Sequence, residues 1–419
     1  MKDINTVLEI AEIGEPIAFA VSGGLDSCTI TRWLTDRGVK AICFTADLGQ
    51  PDEKDISHIG DRIRKSGAYS HHFLHLQDHF AEAGLKLIQA QAFYEGGYWN
   101  ITGIARHIIV KGILEAMTQH KLSILAHGST GRGNDQIRFQ VMAHMLNPEV
   151  KLYAPWRDPI YLDKFQGRAE MIDFCQAHGL PIRATKDTPY STDANLLGIT
   201  YEGGKLEDLK TPSDFVTPTM GVYPKNAPDK VERFVVRFEQ GRPVAINENQ
   251  VSLLDGFKLA NQIGGRNGVG IGVHVVENRI VGLKSRGVYE QPGIDLLSKC
   301  YRFLLQLILD RASQKMFDQM ASQLGENIYY GLGFDLPSQM GFRAIEPVTN
   351  LATGTITVDI YKGHVTFVSA EDVPHSIYTK ETTSMENIGS FSHLDSEGLL
   401  RILSLSARAK AHSRLTHSW

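Results

Sequence analysis

The sequence predicts an α/β domain built on a parallel sheet, joined to an α+β domain and followed by a C-terminal helical arm. Three observations carry that reading. Through residues 1–180 short apolar runs alternate with longer amphipathic ones, the pattern of parallel strands with crossover helices. The first apolar run stops at a glycine-rich turn, Ser22-Gly23-Gly24-Leu25-Asp26-Ser27, and restarts as a helix. After Pro181 the texture changes to turn-rich sequence and alternating runs that suit antiparallel hairpins.

The elements follow in order. Pro16 to Val21 is the first strand and Asp26 to Arg37 its crossover helix. Lys40 to Asp47 is a second buried strand, with Gly49 breaking it; Asp52 to Ser66 is helical and Tyr69 to Leu76 a third strand. A long helical region closes with Ala105 to His120, ahead of a strand around Ser123 to Ala126. Tyr153-Ala154-Pro155-Trp156 and a helix from Lys164 to His178 complete the first domain. In residues 181–385 Val231 to Phe238 alternates, and Gln240-Gly241-Arg242 turns into a second alternating run. Thr355 to Ile360 and His364 to Ser369 pair through Lys362-Gly363. Helices Val251 to Ile263 and a long Asp295 to Leu324 lie between. In residues 386–419 a short apolar helix starts at Gly398 and ends in basic residues; it is too short to fold alone and reads as an arm packing on a neighbouring subunit.

Composition excludes several classes. Of 419 residues, 42% are hydrophobic and 21% charged, as in an ordinary globular protein with ample core. A net charge of −4 gives no electrostatic case for general nucleic-acid or membrane binding. The N-terminus has no apolar signal core, and no run approaches the roughly 18 apolar residues of a membrane span. Cys28, Cys43, Cys175 and Cys300 form no Cys-x-x-Cys pair and read as buried thiols of a reducing compartment, so a cytoplasmic location is expected. His71, His72, His75 and His79 cluster, but no Cys or Glu completes a metal set, and they read as surface or sheet-face histidines. Gly264-Gly265-Arg266-Asn267-Gly268-Val269-Gly270 fails the dinucleotide spacing, precedes a strand, and reads as a tight loop.

Two turns carry the chemistry. In the first, glycines let the backbone N–H groups approach a ligand, while the following helix aims its N-terminal dipole at an anion. Ser22 and Ser27 add hydroxyl donors. The turn has neither the lysine of a Walker A loop nor the Gly-x-Gly-x-x-Gly spacing of a dinucleotide fold. The second, His127-Gly128-Ser129-Thr130-Gly131-Arg132-Gly133-Asn134-Asp135-Gln136-Ile137-Arg138-Phe139, also follows a strand and opens a helix. It gathers groups that suit a zwitterionic amino acid: Asp135 for an ammonium, Thr130 and Asn134 for a carboxylate, Arg138 for a second anion or a carbonyl. A capped helix start with a local Asp135–Arg138 pair is the structural alternative.

Ser22 to Ser27 resembles the pyrophosphate-gripping loop of N-type ATP pyrophosphatases, which cleave ATP between the α and β phosphates. Together with Phe44-Thr45-Ala46-Asp47-Leu48-Gly49-Gln50, the His127–Phe139 segment, Ala154-Pro155-Trp156-Arg157, Pro189-Tyr190-Ser191-Thr192-Asp193, Glu202-Gly203-Gly204, Val276-Glu277-Asn278-Arg279 and Lys284-Ser285-Arg286-Gly287-Val288-Tyr289-Glu290, it is similar to the argininosuccinate synthase family in order and spacing. The resemblance covers nearly the whole chain. It implies an N-type ATP pyrophosphatase-like first domain, a synthetase and multimerisation domain, and a homotetramer that makes argininosuccinate from citrulline, aspartate and ATP with Mg²⁺, in arginine biosynthesis or the urea cycle. Carried over by position, Ala18, Phe19, Ala20, Val21, Ser22, Gly23, Gly24, Leu25, Asp26, Ala46 and Gly128 should hold ATP. Thr130, Asn134 and Asp135 should hold aspartate. Tyr98, Gly103, Asn134, Arg138, Ser191, Thr200, Glu277 and Tyr289 should line the citrulline pocket. Ser22, Asp26, Ser27 and Arg138 are expected to act on the reacting groups.

The chain departs from the family pattern at Tyr98-Trp99-Asn100-Ile101-Thr102-Gly103-Ile104-Ala105-Arg106-His107, where members read Tyr-Leu-Leu-Gly-Thr-Ser-Leu-Ala-Arg-Pro. Gly103 thus replaces a citrulline-binding serine, and Trp99, Asn100 and His107 are unusual beside it. Thr200 replaces a serine, Ala194 a glutamate, Arg132 a lysine and Ser129 an alanine. The cluster around Gly103 reads as a pocket wall reshaped for another urea-like or carbonyl acceptor, the alternative to citrulline.

Overall fold

A computed structural model describes residues 3–53, 55–131, 133–182, 190–385, 392 and 394–415; Arg132 and Pro189, both named above, lie outside the described residues. Strands β1 (Ile17–Ala20), β2 (Ala41–Asp47), β3 (Ser70–His75), β4 (Ile124–His127) and β5 (Lys151–Tyr153) pair in parallel in the order β3-β2-β1-β4-β5. The helices of this half are α1 (Val7–Ile13), α2 (Leu25–Thr35), α3 (Ser57–Lys65), α4 (Gln77–Ala90), α5 (Ile101–His120), α6 (Asn134–Leu146), α7 (Pro159–Lys164) and α8 (Arg168–Ala177).

The pleat of β1 explains both layers. Ile17 and Phe19 face a core with Trp33 of α2, Ile63 of α3 and Phe174 of α8, whereas Ala18 faces Val110 and Ile113 of α5 and Met142 of α6. A sheet covered on both faces needs strands that are apolar throughout, which is why these runs do not alternate. Strand order reverses between β1 and β4, so the turns after these two strands open on one crevice at their carboxyl ends.

The second half holds β6 (Ser191–Asn195), β7 (Gly198–Glu202), β8 (Glu232–Glu239), β9 (Arg242–Ile246), β10 (Asn249–Gln250), β11 (Ile271–Asn278), β12 (Lys284–Glu290), β13 (Gly354–Tyr361) and β14 (His364–Glu371). They form two antiparallel sheets, β11-β12-β7-β6 and β10-β9-β8-β13-β14. Helices α9 (Leu253–Arg266), α10 (Pro292–Ile308), α11 (Arg311–Tyr329) and α12 (Leu336–Leu351) pack among them, with α13 (Lys380–Thr383) and α14 (Asp395–His412) beyond. One core joins the halves: Phe234, Val236, Phe257, Leu297 and Val358 pack in the same cluster as Phe80 of α4 and Ile101 of α5.

Three expectations change. The long helix from Asp295 is two, because the Asp310 carboxylate accepts from Ser313 N–H at 2.7 Å and starts α11 afresh. Residues 191–202, read as turn-rich, form the β6–β7 hairpin. Gly264 and Gly265 belong to the last turn of α9 and not to a loop; a Cβ on Gly265 would lie 2.0 Å from the Met220 carbonyl oxygen, so only glycine fits. His75 ends β3, within the expected third strand, and His79 lies in α4. All four cysteines are free and buried. No residue of α14 is buried, and Leu399, Leu400, Ile402 and Leu403 are exposed. No described helix is long and apolar enough to cross a membrane.

Candidate active site

The first turn is built from the backbone outward. Gly23 takes a left-handed φ of 74°, and its carbonyl accepts from Arg62 Nε at 3.1 Å. Arg62 in turn pairs with Glu53 at 2.8 Å. Ser22 N–H donates to Ser27 Oγ at 3.0 Å, which ties the two ends of the turn together. No side chain caps α2, whose N-terminal residue Gly24 lacks one, so its first N–H groups face the crevice. Ala18, Phe19, Val21 and Leu25 are buried under this turn, with Ala20 at the strand end and Ala46 buried near the end of β2. Asp26 accepts from Trp156 Nε1 at 3.0 Å; burial pushes its carboxyl above the ordinary value, against that hydrogen bond.

The second turn lies directly against the first. A Cβ on Gly128 would fall 3.1 Å from Ile30 Cδ1 and 3.7 Å from Asp26 Cβ. Gly133 starts α6, again with no side-chain cap, and Thr130 is exposed beside it. Asn134 and Asp135 are the first residues of that helix. The Asn134 Oδ1 accepts from Ile280 N–H at 3.0 Å, and its Nδ2 donates to the Tyr329 hydroxyl at 2.8 Å. Asp135 accepts from Arg106 Nε at 2.9 Å and from an Arg138 guanidinium nitrogen at 2.9 Å. The i,i+3 pair of the structural alternative is present, without the cap, and a second arginine joins it.

Arg106 also pairs with Asp193 on β6. The two carboxylates are driven apart. Burial works to raise both, but Arg106 and Arg138 together hold Asp135 below the ordinary range. At Asp193 burial wins over its arginine and the carboxyl is raised. Asp135 is thus the firmly ionised member of the set.

The third wall is one face of the β11-β12-β7-β6 sheet. Thr200 sits opposite Asp193 on β6 and Tyr289 on β12, and Glu202 sits opposite Ser191 and Gly287. Residues two apart share a face, which aligns Ser191, Asp193, Thr200, Glu202 and Tyr289. Thr200 Oγ1 lies 2.9 Å from Thr102 Oγ1. Glu277 accepts from Tyr289 OH at 3.0 Å and from Tyr329 OH at 2.9 Å. Tyr98 stacks on Tyr289 with centroids 4.3 Å apart, and its hydroxyl accepts from Thr102 N–H at 3.0 Å. Desolvation in the cleft, with the Asp135, Asp193 and Glu277 carboxylates nearby, pushes Glu202 up to about 7, against the pull of Arg138. Its side chain still reaches solvent and has no hydrogen-bond partner among the described residues.

The cluster around Gly103 faces elsewhere. A Cβ there would lie 3.2 Å from the Ile328 carbonyl oxygen and 3.7 Å from Tyr329 Cα. Asn100 Nδ2 donates to the Gly325 carbonyl at 2.9 Å, and His107 Nε2 accepts from Gly333 N–H at 2.9 Å. Positions 100, 103 and 107 share one face of α5 by helical spacing. Asn100, Gly103 and His107 therefore line a seam between α5 and the end of α11, not a bare pocket wall. Trp99 donates to Asp295 at 3.3 Å and packs toward α10.

Sequence reasoning missed Arg106, Asp193 and Tyr329 and gave Glu202 no role. Arg106 and Asp193 lie 87 positions apart, so nothing local pairs them. Tyr329 stands at the end of an ordinary amphipathic helix and carries no motif.

A model of the arginosuccinate synthase N-terminal HUP domain matches residues 16–181, and one of the arginosuccinate synthase C-terminal domain matches residues 190–410. The chain is 40% identical over 393 residues to an argininosuccinate synthase of Rhodopirellula baltica, covering 93% of this chain and 96% of that one. It is 38% identical over 408 residues to one of a Thermotoga species, covering 95% and 97%. It is 35% identical over 410 residues to one of Aedes aegypti, covering 96% and 97%.

Proposed function

The chain belongs to the argininosuccinate synthase family, and from that membership we propose that it is an ATP-dependent C–N ligase joining citrulline to aspartate. The observation that carries the reading is the abutment of the two anion-ready turns, so close that a Cβ added to Gly128 would lie 3.7 Å from Asp26 Cβ. Phosphates gripped by the first turn and an amino acid held by the second then meet in one crevice.

In this reading the ureido oxygen of citrulline attacks the α-phosphorus of ATP and pyrophosphate departs. The aspartate amine then attacks the activated carbon and AMP leaves. A ureido carbon is a poor electrophile, so making its oxygen a leaving group is the difficult step. The protein's part is positioning and charge stabilisation. Ser22, Ser27 and the first N–H groups of α2 face the charge that develops on pyrophosphate. Arg138 stands ready for the acceptor carbonyl or the α-phosphate. Asp135 uses two lone pairs on its arginines and keeps others for the aspartate ammonium, while Thr130 and Asn134 suit its carboxylate. Tyr98, Ser191, Thr200, Glu277 and Tyr289 frame citrulline.

Mg²⁺ would arrive with the nucleotide and share the phosphate charge. Asp26, the acidic residue in the first turn of α2, is the carboxylate that would hold such an ion. We assign a homotetrameric assembly, with the exposed apolar side chains of α14 packing on a neighbouring subunit, and a cytoplasmic setting in arginine biosynthesis. A different acceptor loses its main support, because Asn100, Gly103 and His107 turn to the α5–α11 seam.

Purified protein given citrulline, aspartate and Mg-ATP should release AMP and pyrophosphate in equal amounts. Release of ADP and phosphate instead would overturn the chemistry. Glu202 offers a pH test, since its free carboxylate suits the acceptor's α-ammonium. With Glu202 titrating at about 7, kcat/KM for citrulline should climb about tenfold per pH unit below that value and level off above it. Glu202→Gln should flatten that limb and lower the plateau. The linked stability runs the other way: the raised carboxyl favours the fold below its unfolded pKa of about 4.5, an advantage lost as pH rises to about 7.

A further inference from the structure

We propose that Tyr329 is a positioning residue of the acceptor pocket, seated by the α5–α11 seam and holding Asn134, Arg138 and Glu277 in one arrangement. The proposal rests on the pocket assignment above and adds to it a residue from the end of α11. Five contacts converge on this side chain and its backbone. Its hydroxyl accepts from Asn134 Nδ2 at 2.8 Å and donates to Glu277 Oε1 at 2.9 Å. Its carbonyl accepts from Arg138 Nε at 2.7 Å, while the Arg138 guanidinium lies over its ring at 4.8 Å. The other ring face stacks on Tyr94 with centroids 3.8 Å apart.

A single phenol thus links the start of α6, in the nucleotide-binding half, to β11 in the synthetase half. Asn134 has both ends of its amide occupied, by Ile280 N–H and by Tyr329, so its orientation follows from those two partners. Glu277 has one oxygen on Tyr289 and the other on Tyr329, with Ser285 Oγ reaching that second oxygen only at 3.5 Å, so the two phenols are the short contacts that set the plane of its carboxylate. Removing the Tyr329 donor leaves that oxygen only the long Ser285 contact and loosens the plane.

The seam determines where Tyr329 sits. Gly103 lets the Ile328 carbonyl approach to a distance that a methyl would crowd at 3.2 Å. Asn100 ties down the Gly325 carbonyl four residues before Tyr329, and His107 receives the Gly333 N–H four residues after it. His107 Nδ1 lies 2.8 Å from the Gly103 carbonyl and must be its donor, which leaves Nε2 as the acceptor that Gly333 requires. Burial keeps that ring neutral by pushing it down to about 4. The residues that set this chain apart from its family pattern are therefore the ones that fix the height of Tyr329 against the pocket.

The test is Tyr329→Phe in the full chain, which keeps the ring stacks and removes the hydroxyl. KM for citrulline and for aspartate should rise about tenfold to a hundredfold, the range for losing a hydrogen bond to a charged group. KM for ATP should stay within about twofold, and the melting temperature should hardly move. Gly103→Ala should give the same pattern at smaller size, about twofold to fivefold, and carries the test if Tyr329→Phe does not fold. A crystal structure of Tyr329→Phe reads the claim without turnover: the Glu277 carboxylate and the Asn134 amide should reorient. Unchanged KM for both amino acids in the active variant overturns the proposal. So does a variant structure with both groups in their present places, whether or not the wild type turns over citrulline.

Discussion

Gly23→Ala is expected to lower kcat/KM for ATP by at least a hundredfold while leaving the protein folded. The residue has a φ of 74°, where a non-glycine residue costs about 1–2 kcal/mol. The added methyl would also sit 2.7 Å from Ile59 Cγ2 and 3.1 Å from an Arg62 guanidinium nitrogen. Neither neighbour yields easily. Ile59 is 2% exposed, and Arg62 is held by Glu53 and by the Gly23 carbonyl itself. The turn would have to move, and with it the Ser22 N–H to Ser27 bond and the N–H groups that start α2. Only a displacement of a few tenths of an ångström is needed to spoil donors aimed at developing charge.

Gly14→Ala separates strain from function. Gly14 has almost the same φ, 73°, but a Cβ there meets nothing within 4 Å. It should cost about 1 kcal/mol of stability by denaturant titration, and KM for ATP should stay unchanged. If Gly23→Ala matches that mild pattern, the turn does not grip the nucleotide.

The parts of the fold that were legible in the sequence are those written in local pattern. The apolar run into Ser22 suits a strand covered on both faces, and the glycine pair suits a sharp turn, in which Gly23 takes the left-handed backbone. The break at Asp310 was not legible, because the apolar period of α10 runs on into α11 and only the Asp310–Ser313 cap interrupts it. The β6–β7 hairpin was hidden for another reason. Its outward residues are the hydroxyls and acids of the cleft, so Ser191, Asp193, Thr200 and Glu202 gave it the composition of a loop. Gly103 shows the limit of matching by position. The motif placed it at the pocket, but the direction in which its missing side chain would point is a tertiary fact.

Asp135→Asn is the substitution that tests the centre of the site, and its expected loss of turnover is a thousandfold or more. The carboxylate carries two guanidiniums, and Arg138, with its side chain 4% exposed, pairs with no other carboxylate among the described residues. An amide of the same shape keeps one acceptor and turns a balanced set of two arginines and two aspartates into one with a surplus positive charge. Breaking such a pair costs about 3–5 kcal/mol when fully buried; with Asp135 26% exposed, about 2–3 kcal/mol is the expected loss. The pH dependence identifies the cause. Asp135 titrates below its unfolded value, so the stability it adds is present above about pH 3.8 and disappears as pH falls through the depressed folded value. The gap in stability between wild type and Asp135→Asn should therefore be widest near neutrality and close in acid. Asp193→Asn should behave in the opposite sense, because the raised carboxyl of Asp193 favours the fold below its unfolded pKa and loses that contribution as pH rises. At neutral pH its substitution should change stability little and turnover far less than Asp135→Asn does. Equal effects of the two substitutions on stability and on aspartate KM would mean that Asp135 is only a partner for its arginines and not a ligand for the substrate ammonium.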